Sequence, residues 1–150
     1  MAIKVTREQV AAIKRHGEAS FPNECCGLLL GQIVDGVKIL KELLPVANSR
    51  EAEAQRNRYL ISSDERFRAE RYARGRGLGV IGCYHSHPNA PARPSGFDRD
   101  HAPFPVESFM IVSVRDGRPE ELTSWVLAAD RSEFYPEEIQ EVDSKTDSQL

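Results

Sequence analysis

The sequence predicts an α/β fold, a central mixed β-sheet flanked by helices, and three observations carry that prediction. Short apolar runs rich in β-branched residues are bounded by turn dipeptides. Two segments of helical periodicity each open on a capping box. The 150 residues are enough for one hydrophobic core and too few for two comfortable ones.

Taken in order, Thr6 with Gln9 three places on predicts a cap for a helix over about 7–18. Val10, Ile13 and Gly17 fall on one face of it, and Phe21-Pro22 ends it. Cys25 to Val34, with the run Gly27-Leu28-Leu29-Leu30, reads as a buried strand. Asp35-Gly36 is a hairpin turn, and Val37 to Val46 is the return strand. Residues 47–57 read as a polar loop and Tyr59-Leu60-Ile61 as a short strand. Ser62 and Glu65 form a second capping box for a helix over about 64–74, closed at Gly75 or Gly77. Gly79 to His85 is a further strand. The five prolines between Pro88 and Pro105 leave room for a structured loop with at most one helical turn. Phe109 to Val114 and Leu122 to Leu127 are two more strands, joined through Asp116-Gly117. After Pro136 the chain turns acidic, with five carboxylates against Lys145 alone, so the folded domain is expected over 1–136 and a disordered tail over 137–150.

Composition excludes several function classes. No stretch approaches the roughly 20 apolar residues of a membrane helix. The N-terminus shows no signal-peptide apolar region. The cysteines Cys25, Cys26 and Cys83 are odd in number and two are neighbours, which argues against a disulfide framework and for a reducing, cytoplasmic setting. A net charge of -3 and a pI near 5.8 give no general attraction to nucleic acid or to an anionic membrane. Arg56, Arg58, Arg66, Arg68, Arg71, Arg74 and Arg76 still cluster locally. Such a run is ordinarily a solvated face, and a sharper reading makes it a dock for an acidic partner.

The chemistry concentrates at His85-Ser86-His87-Pro88, where a buried strand meets the proline-rich loop. Strand residues two apart point the same way with Cα atoms about 6.6 Å apart, so the two imidazoles can converge on one ion. A catalytic zinc takes three protein ligands and keeps a position for water. Asp98, eleven residues past His87, is the natural third ligand. Asp100 and His101 compete on the same segment, and Cys83 competes more weakly. It shares the strand face but lies about 13 Å from His87 along an extended chain. A carboxylate is also needed to carry the proton from water to the leaving amine, and Glu24, just before a buried strand, is a candidate.

His85-Ser86-His87-Pro88, six further residues and Ser95-Gly96-Phe97-Asp98 together resemble the JAMM (MPN-plus) metalloprotease motif. Glu24-Cys25-Cys26-Gly27-Leu28-Leu29-Leu30-Gly31 resembles that family's glutamate-bearing strand, and the likeness runs over about 6–128. The resemblance implies a cytidine-deaminase-like sheet architecture, Zn2+ held by His85, His87 and Asp98, Glu24 as general acid/base, and Ser95 helping to stabilise the oxyanion. It is strongest to small bacterial stand-alone members. It therefore implies hydrolysis after the C-terminal glycine of a ubiquitin-like or sulfur-carrier protein ending in Gly-Gly, a tail that would lie extended against a sheet edge. The competing readings are a metal-free scaffold that only binds protein partners, a DNA-associated relative, and a cell-wall or phage-tail peptidase. The retained ligands oppose the first, the charge the second, and the chain length the third. Structural histidines at a strand end, a surface Glu24 and a Ser95 that merely turns the chain are the plainer alternatives for the site.

Overall fold

Thr6 is where the chain changes its period. Before it, Ala2–Thr6 (β1) alternates, with Ile3 and Val5 buried. After it, Arg7–Ser20 (α1) turns Ile13 and Gly17 inward. Thr6 Oγ1 accepts from Gln9 N at 3.1 Å, and Thr6 N donates to Gln9 Oε1 at 2.8 Å, so the expected box is complete. The opening strand was not expected from the sequence; its signal is the two-residue alternation at Ile3 and Val5. The computed structural model describes residues 2–101 and 104–143.

Cys26–Val34 (β2) and Val37–Val46 (β3) form the expected hairpin. Asp35 and Gly36 both have positive φ, as the tight hairpin turn requires, and Asp116-Gly117 repeats the device between Ser108–Arg115 (β5) and Arg118–Leu127 (β6). Between the hairpins lie Ser63–Gly75 (α2), Gly79–Pro88 (β4) and the short Gly96–His101 (α3). Ser62 Oγ caps α2 by accepting from Glu65 N at 3.2 Å. No reciprocal bond from the Glu65 side chain is found among the described residues; its Oε1 lies 3.7 Å from Arg68 instead.

The strands run in the order β1-β3-β2-β4-β5-β6 and then Phe134–Val142 (β7), which pairs back to β1 and closes a barrel. The pairs β1–β3, β1–β7 and β4–β5 are parallel and the others antiparallel, so the sheet is mixed as expected. Among the described residues each strand has a neighbour on both sides, so no whole strand there lies at an edge for a substrate tail to extend. Alternate residues of the central strands feed two cores. Leu29, Tyr84, Met110 and Val112 pack on α1, while Leu28, Cys83, Phe109 and Ile111 pack towards α2. Burial on both faces explains why these strands read as unbroken apolar runs. Gly82 lets β4 and β5 approach: a Cβ there would lie 2.2 Å from the Ser108 carbonyl oxygen.

Two expectations are corrected. Tyr59-Leu60-Ile61 is not a strand, because the Asn48 side chain takes the place of a ladder partner. Its Oδ1 accepts from Leu60 N at 3.1 Å, and Ser49 N donates to Leu60 O at 3.0 Å. The boundary at 136 falls inside β7. Glu137 there is buried, accepting from Lys38 Nζ at 2.9 Å and from the Ser108 and Ser124 hydroxyls at 2.6 and 2.8 Å. Acidity marks a tail only where the carboxylates find no such partners, and Lys38 stands 99 positions away in sequence. Residues 144–150 of the expected tail lie outside the described residues.

Candidate metal centre

On β4 the residues alternate as strand geometry demands. Tyr84 and Ser86 face α1; Cys83, His85 and His87 face the α2 side. Ser86 uses its position to lock the neighbouring strand: its Oγ accepts from Cys25 N at 2.8 Å and its N donates to Cys25 O at 3.2 Å. With Cys26 opposite His85 in the β2–β4 register, Glu24 is brought to the end of β4 that carries the histidines.

His85 and His87 point their Nε2 atoms at one another, 3.0 Å apart. Asp98, in the first turn of α3, completes a triangle, with Oδ1 3.5 Å from His85 Nε2 and Oδ2 3.3 Å from His87 Nε2. Donor atoms around a tetrahedral zinc with bonds near 2.0 Å are spaced by about 3.3 Å. All three side chains are buried, and among the described residues they form the one His/Cys/Asp/Glu group gathered closely enough to hold an ion. His87 Nδ1 lies 2.8 Å from the Pro91 carbonyl, which can only accept; the proton therefore sits on Nδ1 and leaves Nε2 free as a ligand. His85 is held between the Tyr59 ring, stacked at 4.5 Å, and Phe109 at 4.8 Å. Its Nδ1 has no hydrogen-bond partner among the described residues. The donor set and its spacing fit zinc.

Two of the competitors, Asp100 and Cys83, lie outside the gathered group. Asp100 is exposed and leans on Arg99 at 3.5 Å. Cys83 is buried in the apolar layer, where burial pushes its thiol up to about 12. The His101 side chain lies outside the described residues.

Electrostatics separate the carboxylates. Burial favours a neutral Asp98, but hydrogen bonds with His85, His87 and the Ser95 amide outweigh it and hold its carboxyl well below the usual range. Burial lowers His85. In His87 burial acts the same way, yet Asp98 and the Pro91 carbonyl prevail and raise it. Glu24 is pushed up to about 8, first by burial, with the Asp98 charge adding and His87 and Arg58 opposing. Its folded pKa is thus raised above 4.5, so between about pH 4.5 and 8 the native metal-free protein binds the extra proton. Stability falls as pH rises through that window, by at most about 1.4 kcal/mol per unit. Thermal melts of metal-free protein at pH 5 and pH 8 are expected to show this slope in the parent and a weaker one in Glu24→Gln. Parallel slopes would contradict it.

Ser95 and Asp98 cap α3 reciprocally: Asp98 N donates to Ser95 Oγ at 3.0 Å, and Ser95 N donates to Asp98 Oδ2 at 2.8 Å. Ser95 therefore does turn the chain, and among the described residues its hydroxyl donates to no acceptor. Sequence reasoning missed the residues that hold Glu24. Asn48 Nδ2 donates to Glu24 O at 3.2 Å, Glu24 N donates to Gln55 O at 2.7 Å, and Gln55 Nε2 donates to Arg50 O at 2.7 Å. These amides lie in a stretch read only as a polar loop, and nothing in their spacing marks them. The arginine cluster also divides. Arg66 is bound by Glu70 and Glu107, Arg76 by Glu42, and Arg58 lies over Phe97 at 4.1 Å. Arg56, Arg68, Arg71 and Arg74 face solvent.

A mixed sheet presenting a His-x-His strand end against a Ser-x-x-Asp helix start defines a class, that of JAB/MPN domains. Residues 6–128 match the family of prokaryotic homologs of the JAB domain, and the chain belongs to it. It is 29% identical over 121 residues to the CysO-cysteine peptidase of Mycobacterium tuberculosis, covering 81% of this chain and 80% of that one. It is 31% identical over 113 residues to the desampylase of Haloferax volcanii, covering 75% and 78%. A Salinibacter ruber protein solved in solution is 43% identical with a TM-score of 0.73, over 95% of this chain and 92% of that one. A JAB1/MPN domain protein from Archaeoglobus fulgidus, 21% identical, shares the fold with a TM-score of 0.56 over 94% and 100% of the two chains. No helix among the described residues is long and apolar enough to cross a membrane.

Proposed function

We propose that this protein is a zinc-dependent peptidase or isopeptidase that hydrolyses the bond after the C-terminal glycine of a ubiquitin-like or sulfur-carrier protein. The observation that carries the reading is the convergence of His85 Nε2, His87 Nε2 and the Asp98 carboxylate, with Glu24 coupled to the same cluster. The names of its relatives, a CysO-cysteine peptidase and a desampylase, support the substrate class. Three free cysteines agree with a cytoplasmic setting.

His85, His87 and Asp98 would hold the metal. Zinc bound there supplies Lewis acidity towards a carbonyl oxygen and makes water acidic enough to attack near neutral pH. Glu24 takes the proton from the attacking water and delivers it to the departing amine. In the metal-free protein burial raises its proton affinity above that of an ordinary glutamate, and a carboxylate with that proton affinity can both accept and return a proton. Ser95, whose Oγ already accepts from Asp98 N, turns its hydroxyl proton to the developing oxyanion. Tyr59 and Phe109 keep the His85 ring from rotating.

The direct test is the metal content of purified protein beside a His85→Ala/His87→Ala double variant. Close to one zinc per chain is expected in the parent and none in the variant. Carrier adducts extended beyond Gly-Gly are expected to be cut by the parent alone. A parent that neither carries zinc nor takes it up would instead mark the chain as a partner-binding scaffold.

A further inference from the structure

Residues 47–62 run between β3 and α2 with one 3-10 turn at Ala52–Ala54, so their backbone groups need partners outside any ladder or longer helix. A single side chain supplies four such partners at once. The Asn48 carboxamide has two N–H donors and an oxygen with two lone pairs. Its Nδ2 donates to Glu24 O at 3.2 Å and to Arg58 O at 3.0 Å. Its Oδ1 accepts from Arg50 N at 3.0 Å and from Leu60 N at 3.1 Å. Two carbonyls on one side and two amides on the other fix which way the carboxamide points. A carboxylate there could serve the amides alone, and an ammonium the carbonyls alone.

Each bonded group leads to a residue of the centre. Glu24 is held at its carbonyl by Asn48 and at its N–H by Gln55 O, 2.7 Å away. Tyr59 stands between Arg58 and Leu60, both tied to Asn48, and Arg50 Nε donates to its carbonyl at 3.4 Å. With its backbone fixed in this way, its ring stacks on His85 at 4.5 Å, with 21° between the planes. The guanidiniums of Arg58 and Arg50 lie 4.1 and 5.4 Å from the centroid of Phe97, the residue before Asp98. Glu24 comes from ahead of β2, His85 from β4 and Asp98 from α3, and the partners of Asn48 lead to all three. A mere loop staple has no need of partners chosen so.

We propose that Asn48 is the positioning residue of this centre: it sets the Glu24 carboxylate relative to the metal ligands and holds the Tyr59 ring against His85. It acts through these neighbours and not on the reacting atoms. The proposal rests on the peptidase reading above. Displacing a reacting group by about 1 Å can cost on the order of a hundredfold in rate. A side chain that fixes a proton carrier by its backbone therefore acts on turnover before it acts on substrate binding.

Asn48→Ala is read in two ways. In metal-free protein the imidazole C–H resonances of His85, shielded by the stacked Tyr59 ring, are expected to move downfield. Those of His16, edge-on to Tyr84 at 5.7 Å on the other face of β4, are expected to stay in place and so report an intact fold. In zinc-loaded protein, kcat per bound zinc on carrier adducts extended beyond Gly-Gly is expected to fall about a hundredfold, with KM within about threefold of the parent's. Asn48→Asp has nearly the same shape, keeps the two acceptor bonds and loses both donors, so it carries the test if Asn48→Ala does not fold. Its kcat is expected to fall as far, with His85 closer to the parent's shift. A folded Asn48→Ala in which either the His85 resonances or kcat match the parent's would overturn the proposal, however far its melting temperature drops, and so would a parent-like kcat in Asn48→Asp. A parent that cleaves no adduct removes the peptidase reading. The His85 comparison then decides for Asn48 alone, moved resonances keeping its positioning role and unmoved ones ending it.

Discussion

Glu24→Gln is expected to retain zinc at the parent's stoichiometry and to lose hydrolysis by about a thousandfold, within the range of 10²–10⁴ typical of a positioned acid-base group. Glutamine keeps the size and the backbone tethers to Asn48 and Gln55 but cannot accept the proton from water. The pairing of measurements matters. Loss of metal together with activity would mean that Glu24 supports the site structurally, and full activity would exclude it from proton transfer. Glu24→Asp separates position from chemistry. The shorter side chain keeps the acid yet draws it back, so an intermediate rate is expected and its recovery would locate the requirement in reach.

Glu137→Ala is expected to be the most destabilising single change outside the centre. The carboxylate gathers Lys38 from β3, Ser108 from β5 and Ser124 from β6, with side-chain exposures of 11% for Lys38 and 1% for Glu137. Removing it leaves an ammonium and two hydroxyls without an acceptor in the sheet. Breaking a buried pair from one side typically costs about 3–5 kcal/mol. At roughly 2–4 °C per kcal/mol for a chain of this size, the melting temperature should fall by about 6–20 °C. Lys38→Met/Glu137→Met removes both charges and is expected to recover most of the loss, since a buried pair replaced by apolar groups is often neutral. A single variant melting with the parent would show that water reaches the pair.

The sequence made the histidines legible because strand parity alone puts His85 and His87 on one face, and Pro88 ends the strand beside them. Asp98 was legible because its helix start is a short local motif. Glu24 was within reach only through family likeness: 61 positions separate it from His85, and what joins them is a strand register fixed by Ser86 on Cys25. The closing strands were the least legible. Five residues of β1 are too few to announce a period against the helix that follows. In β7 the inward-facing residue is a glutamate whose partner lies at the other end of the chain. Tyr59 was misread for a similar reason, since a side-chain amide rather than a neighbouring strand satisfies its segment.

The reciprocal cap between Ser95 and Asp98 bears on how this site can change over evolutionary time. The two residues are fixed to each other through one helical turn and are fixed to β4 only by what they close around. Residues inserted or removed between Asn89 and Pro94 move the hydroxyl and the carboxylate together, as one cassette. A change of length inside Ser95-Gly96-Phe97-Asp98 breaks the cassette itself. The loop ahead of the cap can acquire new exposed side chains such as Arg93, but Pro91, whose carbonyl holds His87 Nδ1, and buried Ala92 constrain it, while the three-residue step from serine to aspartate stays rigid in length.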